Sequence, residues 1–486
     1  MKQLTRTRVF AFTAVSSALP FSMLLESGYN VLSAEVILLT GVAALFGIGF
    51  GLLLCKVRSL FWIFFSLLFC AFLDAYFIGP RELTGIELAL LLYGILAVLF
   101  LFEKQVLPVV TVFVVFFSVS ALFVPPIHNK SFVADQNQQD RAAALVAKPK
   151  LLHIVLDEMG SPDAMSGSIA EGHPADDILD DLVARGFEVR TQAETVSPRT
   201  KGSMGAIADL SLDETNFVEL GAGDKFLHRV KSNRLHKGFV NSGYDVSVIQ
   251  TDFIDYCHGI DELTCETYSS FGDNSVFYDE PFWLRLQIAG IALHQKLAFG
   301  GRSEVKLYRS AAFVYFTLSD AERLQFHNFA EPKTVKRVMD AMPSRIKQMQ
   351  NGDVLFVHLL LPHFPYVLDR ECNLLPISKW GYSQQYYGSD PMDPVYYEAY
   401  WDQVACTYSL LAPTLDAAAE IEDLTVVIHG DHGPRLIWYK TKVNPLYMRQ
   451  TILAIREPGR PQRLIRQPQI LQSVIPIVMA PYLGEP

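Results

Sequence analysis

The chain has 486 residues, of which 50% are hydrophobic and 19% charged, with a formal net charge of −10. That length allows more than one domain, and the apolar excess is concentrated before residue 126. Residues 1–126 hold seven of the 41 Lys/Arg and six of the 51 Asp/Glu, so the remaining 360 residues carry 34 basic against 45 acidic groups, a net of −11; this excludes nucleic acid as a partner, which needs a basic footprint.

Five apolar stretches open the chain, at about 9–27, 31–55, 59–78, 85–102 and 106–125. Each approaches or exceeds the ~20 residues a helix needs to cross a bilayer, so an all-α bundle of about five transmembrane helices is expected over 1–126. Lys2, Arg6 and Arg8 precede the first stretch, Lys56 and Arg58 follow the second, and Lys104 follows the fourth. A cytoplasmic N-terminus puts all six on the inside, leaves Arg81 opposite, and delivers everything after the fifth span to the outer side. A cleaved signal peptide over the first stretch would leave four spans that begin outside, which conflicts with Lys56 and Arg58. Glu26, Glu35, Asp74, Glu82 and Glu87 fall at or near the outer side; interfacial solvation is the plain reading of these acids, and attraction of a cationic head group is the functional one.

A polar stretch, 127–150, reads as a juxtamembrane linker to a domain over 151–486. Within that domain the apolar runs 151–156, 244–250, 353–361 and 424–429 read as strands, and 176–184, 334–349 and 395–421 carry helical periodicity. Strands alternating with helices predict an α/β fold with a doubly wound, mainly parallel sheet. The aromatic, less periodic stretch from about 212 to 330 reads as insertions that shape a substrate site. Cys257, Cys265, Cys372 and Cys406 are an even number in an oxidising compartment. Four cysteines permit three pairings; the expected one closes a short loop between Cys257 and Cys265 and leaves Cys372 with Cys406.

Two of the predicted strands end in metal-ligand chemistry: Asp157-Glu158 follows the first, and His429-Gly430-Asp431-His432-Gly433 completes the last. Ligands of open α/β sheets sit beyond the carboxyl ends of the strands, so the two tips can meet. Glu158, Asp431 and His432 are the expected ligands, with Asp157 a candidate fourth; carboxylates plus imidazole suit Zn²⁺, with Mn²⁺ as the alternative. Taken alone, Asp157-Glu158 reads more simply as a helix cap. Between the tips lies Ser197-Pro198-Arg199-Thr200-Lys201-Gly202-Ser203, which sets Thr200 near a helix N-terminus, where free N–H groups favour an alkoxide and a bound phosphate; the plain reading of Thr200 is an N-cap. In His358-Leu-Leu-Leu-Pro362-His363-Phe-Pro365-Tyr366, His363 is placed to act as acid/base or to contact a phosphoryl group. His358 reads as a hydrogen-bonded core residue and only weakly as a substrate contact.

As a set, these motifs resemble the alkaline-phosphatase superfamily, specifically its sulfatase-like branch, over about residues 148–440. With five spans ahead, the chain looks like the membrane phosphoethanolamine transferases and lipoteichoic acid synthases. The resemblance implies an alkaline-phosphatase-like domain exported from a bacterial-type inner membrane into the periplasm or its extracytoplasmic equivalent. It gives Thr200 the role of nucleophile and metal contact, and Glu158, Asp431 and His432 those of metal ligands. It also implies a membrane phospholipid donor and a glycan or lipid acceptor; a phosphodiesterase or sulfatase-like hydrolase is the alternative. Val196-Ser-Pro-Arg-Thr200 lacks the Cys/Ser-x-Pro-x-Arg pattern that yields formylglycine, so no formylglycine is expected. Pro434-Arg435 stands where many transferases carry an acid.

Overall fold

In chain order, α1 (Lys2–Glu26) and α2 (Ala34–Leu54) precede β1 (Lys150–Leu156), α3 (Ala175–Ala184), β2 (Glu188–Glu194) and α4 (Thr200–Ala208). Then follow β3 (Phe217–Glu219), β4 (His228–Val230), α5 (Arg234–Asn241), β5 (Asp245–Thr251), β6 (Ile254–Asp255), β7 (Thr264–Tyr268), α6 (Phe282–Phe299) and α7 (Glu331–Gln348). The last elements are β8 (Asp353–Leu359), α8 (Pro394–Ala419), β9 (Leu424–Gly430), β10 (Gln450–Arg456), β11 (Arg463–Ile465), β12 (Gln469–Ile470) and α9 (Leu471–Leu483). The computed structural model describes residues 2–26, 28–57, 61–62, 64–65, 107–109, 111–112, 114, 148–161, 175–220, 225–269, 274–299, 330–380, 394–434 and 448–484.

The chain forms two compact units, Met1–His128 with Gly272–Phe326, and Asn129–Phe271 with His327–Pro486. The first therefore includes a stretch that the sequence reading kept in the second domain. Its α1 and α2 are long and apolar enough to cross a membrane; the expected spans 59–78, 85–102 and 106–125 lie largely outside the described residues. Leu38, Val42, Leu45, Phe46 and Leu52 of α2 are exposed, and a helix apolar all round yet unburied by protein fits a lipid environment. On the face towards α1, a Cβ at Gly47 would lie 2.8 Å from Thr13 Cα, so the missing side chain permits close helix contact. Glu35, read in the sequence as part of an acidic outer rim, is buried and paired with Arg285.

The second unit is built on a nine-stranded sheet of order β11-β2-β10-β9-β1-β8-β5-β7, with β12 also on β2. Only β10 runs against its neighbours; the central β9, β1, β8 and β5 are parallel. Leu152, Ile154 and Leu156 of β1 pack with α3, α7 and α8 on one face. Leu151 and Val155 pack with α4, α5 and α9 on the other. Burial on both faces is why these strands are continuous apolar runs. The large, mostly parallel α/β sheet agrees with the expected class. Strands β2 and β10 and helix α9 were not anticipated; β2 (Glu-Val-Arg-Thr-Gln-Ala-Glu) is half polar and partly buried along its length. The cysteines pair as expected, Cys257–Cys265 and Cys372–Cys406.

Asp353 opens β8, its Oδ2 accepting the Gln350 amide at 2.6 Å. Burial, opposed by that bond and reinforced by neighbouring Asp245, pushes its carboxyl up to about 6. A carboxyl that holds its proton more tightly when folded favours the fold at low pH and loses that contribution as pH rises through the folded value. Asp353→Asn is therefore expected to raise the unfolding temperature at pH 7.5 relative to wild type and to leave it unchanged near pH 4; an offset constant across this range would exclude the carboxyl as its cause.

Candidate active site

Strands β1, β8 and β9 lie side by side, so the residues at and just past their ends converge. The Asp157 amide donates to Leu359 O at 2.9 Å, which fixes the turn after β1 to the end of β8. The next residue, Glu158, has φ of 60°, a left-handed conformation uncommon for a residue with a side chain. Its amide donates to Asp431 Oδ1 at 3.0 Å, and the His432 amide donates to the same oxygen at 2.8 Å. Tyr400 of α8 clamps the turn: its hydroxyl donates to Glu158 O at 2.9 Å and accepts from the Gly160 amide at 3.0 Å.

This backbone reversal separates the two acids. Asp157 Oδ2 is 3.2 Å from Thr200 Oγ1, while Glu158 Oε1 lies 3.9 Å from His363 Nε2. Thr200 is the first residue of α4, and Arg199 is the cap, in extended conformation and without a side-chain capping bond. The Thr200 hydroxyl is thus not an N-cap; it sits 3.2 Å from both Asp157 Oδ2 and His432 Nε2, at a helix N-terminus. A Cβ at Gly202 would be 2.5 Å from Ser197 Oγ, so glycine there lets the helix start close on the preceding turn. Gln472 of α9 ties the same region together, its Oε1 accepting from the Val196 amide at 3.1 Å and its Nε2 donating to Ser203 Oγ at 2.9 Å.

Among the described residues, donor atoms of Asp157, His358 and Asp431 lie within 4.8 Å of one another, and all three side chains are buried. His358 Nε2 and Asp431 Oδ2 carry no hydrogen bond. Two buried carboxylates beside an imidazole nitrogen with its hydrogen-bonding capacity unused fit a divalent cation. Burial, partly opposed by Asp431, lowers His358 to about 4, so the ring is neutral at pH 7. Its Nδ1 lies 3.0 Å from the Tyr256 hydroxyl, and the tautomer that carries its proton on Nδ1 leaves the Nε2 lone pair free to ligate. Burial opposes ionisation of Asp431, but His432 and His358 beside it hold its carboxyl below the ordinary value. His432 Nε2 is 3.4 Å from Asp431 Oδ2 and 3.7 Å from Asp157 Oδ1, which makes it a fourth candidate.

The geometry thus brings Asp157, Asp431, His432 and Thr200 together as the sequence set them out, but it exchanges two emphases. Asp157, held open in the sequence reading, is central. Glu158, the expected ligand, instead faces His363. His358, read as core, joins the cation group. His363 sits between two acids, its Nδ1 being 3.7 Å from Glu331 Oε1. Burial, then Asp252 and Glu158, push the Glu331 carboxyl well above its usual range. Gln403 holds the His363 loop by donating to His363 O at 2.8 Å and accepting from the Val367 amide at 3.0 Å. Tyr256, Glu331, Gln403 and Gln472 were absent from the sequence reading, because their partners come from distant elements and no local spacing marks them.

Gly430, just before Asp431, has no room for a side chain: a Cβ would lie 2.2 Å from Thr451 Oγ1 and 2.5 Å from Met159 O. Gly430→Ala is expected to weaken metal retention by about 10–100-fold, the scale on which second-shell support matters. Metal content after dialysis against graded chelator measures this, and wild-type retention in that variant would show the strand end is not what positions Asp431.

No family model matches the chain, and no curated protein matches it. Among solved structures, the phosphonate monoester hydrolase of Agrobacterium radiobacter is similar at 14% identity over 69% of this chain and 74% of that one, with a TM-score of 0.43. Ps i-CgsB, solved in complex with k-i-k-neocarrahexaose, is similar at 13% identity over 70% and 73%, with a TM-score of 0.43. The C-terminal periplasmic domain of the phosphoethanolamine transferase EptC from Campylobacter jejuni is similar at 11% identity over 63% and 78%, with a TM-score of 0.35.

Proposed function

We propose that the chain is a membrane-anchored, metal-dependent phosphotransferase in which Thr200 carries the transferred group between a phospholipid donor and a surface glycan or lipid acceptor. The observation that carries this is a buried hydroxyl at a helix N-terminus, 3.2 Å from both Asp157 and His432, beside a cation-competent acid–imidazole group. A threonine used only for structure gains nothing from that company. The site lies in the α/β unit, and α1 and α2 supply the anchor.

Asp157, Asp431, His358 and His432 would hold the cation, which supplies Lewis-acid stabilisation of the charge developing on phosphoryl oxygens. Thr200 Oγ1 attacks the phosphorus of the donor, its proton passing to Asp157, and the bond from phosphorus to the diacylglycerol oxygen breaks. His363, steadied by Gln403 and flanked by Glu158 and Glu331, gives the leaving oxygen its proton. In the second half an acceptor hydroxyl attacks the phosphorus of the phospho-threonine and its proton passes to His363; the bond from phosphorus to Thr200 Oγ1 breaks, and the proton held by Asp157 returns to restore the Thr200 hydroxyl. The Thr200 and Lys201 amides at the start of α4 stabilise the phosphoryl oxygens throughout, those of Gly202 and Ser203 being taken by Arg199 O. Confining donor and acceptor to one membrane surface raises their effective concentration at the site.

Intact-mass analysis of the protein purified from its membrane tests the reading. The expected result is an adduct of phosphoethanolamine or glycerophosphate on Thr200, lost in Thr200→Ala together with a fall in turnover of about 10³-fold or more. An adduct that persists in Thr200→Ala would move the nucleophile elsewhere. Release of the head group to water, with none reaching any acceptor, would make the enzyme a hydrolase.

A further inference from the structure

Helix α6 is grouped with α1 and α2 and not with the sheet, although the chain forms strands of that sheet before and after it. Strand β5 before it and β8 after it are paired and parallel, so residues 245–251 and 353–359 belong to one body on one side of any membrane. Any excursion of the intervening chain into a bilayer must therefore return to the side it left.

Three observations on the described residues say where α6 goes. It belongs to the compact unit of α1 and α2. It is apolar over Phe282–Leu293. Ile288, Ala289, Ile291 and Ala292 are buried, and Leu293 packs on the cluster that includes Ala11, Phe12, Val15 and Leu19 of α1. Its start is fixed by polar contacts to the turn between α1 and α2. Arg285 Nε lies 3.0 Å from Oε1 of the fully buried Glu35, Arg285 Nη1 donates to Tyr278 O at 3.2 Å, and the Tyr278 hydroxyl bonds Gly28 O and the Asn30 amide. That turn is the outer end of the helix pair under the charge-bias orientation. Trp283, two residues before Arg285, is 72% exposed, on the same end.

We infer that α6 is a re-entrant element of the exported domain, entering the membrane from its outer side against α1 and α2 and held there by the Glu35–Arg285 pair, and that the partner of its exposed face is lipid. This rests on the membrane reading of α1 and α2. At 18 residues the helix is about 27 Å long, comparable to the hydrocarbon core. Indole at its outer end belongs at the head-group level. A charge buried at that depth needs its counter-charge, which Arg285 gives to Glu35. Glu35 is thus committed to a protein cation, which removes it from the acids expected to attract a cationic lipid head group.

The test uses the full chain reconstituted in phosphatidylethanolamine/phosphatidylglycerol vesicles containing phosphatidylcholine brominated near the head group or near the acyl terminus. The difference between wild type and Trp283→Phe isolates the fluorescence of Trp283. It is expected to fall at least twofold with the shallow quencher and less with the deep one. Arg285→Gln should remove at least half of that quenching, and exchanging the charges (Glu35→Arg with Arg285→Glu) should restore it. Membrane-bound protein with Trp283 unquenched by either lipid would overturn the inference and leave the anchoring reading intact. Protein released from the vesicles by alkaline carbonate would overturn both. Stoichiometric cross-linking of Trp283→Cys between copies, without quenching in wild type, would make a second chain the partner of this face and overturn the lipid assignment.

Discussion

Two carboxylates held against each other inside a protein repel, and the α/β unit is arranged around that repulsion. Asp157 and Asp431 follow adjacent parallel strands and, with His358, present donor atoms within 4.8 Å of one another. At an effective dielectric of about 20, two like charges ~5 Å apart cost roughly 3 kcal/mol, a large fraction of the net stability of a domain. Hydrogen bonds to Asp431 Oδ1 from the amides of Glu158 and His432 offset part of this. A divalent cation held by these residues would convert the repulsion into attraction, and its charge would make a hydroxyl placed beside it easier to ionise.

What keeps that hydroxyl in place is backbone packing more than side-chain bonding. Gly202 lets α4 close on the turn at Ser197, and Gly430 lets the end of β9 pass between Thr451 and Met159. Gln472 then bonds both the turn before α4 and its first turn, so the C-terminal helix secures the start of α4, where Thr200 sits. The two Gln472 bonds span 276 and 269 positions, which spreads responsibility for one site over most of the α/β unit.

The architecture was legible because parallel strands buried on both faces have a simple signature. The runs at 151–156, 244–250, 353–361 and 424–429 correspond to β1, β5, β8 and β9 within one or two residues at each end. Strand β2 escaped because Arg190, Gln192 and Glu194 interrupt the apolar pattern at its partly exposed positions. For the site, a motif gives positions but not directions. Asp157 and Glu158 are neighbours of almost equal chemistry, and what separates them is the left-handed backbone at Glu158. No pattern of apolar and polar residues encodes that dihedral; it follows from the Asp431 and Tyr400 contacts that hold the turn. The same holds for His358, whose strand position reads as core until Asp157 and Asp431 are set beside it.

The insertion at 272–326 shows the limit of reading domains as consecutive stretches. Aromatic, weakly periodic sequence after β7 suits a loop that shapes a substrate site, and only the company it keeps in space assigns it to the helical unit. One ion pair carries much of that distinction: Arg285 is the sole charge between Phe282 and Leu293, and its partner Glu35 lies 250 positions earlier. A buried pair of this kind adds less to stability than to uniqueness, since either charge left alone would be costly and only one docking satisfies both. The backbone consequently crosses between the two units three times, after His128, before Gly272 and after Phe326.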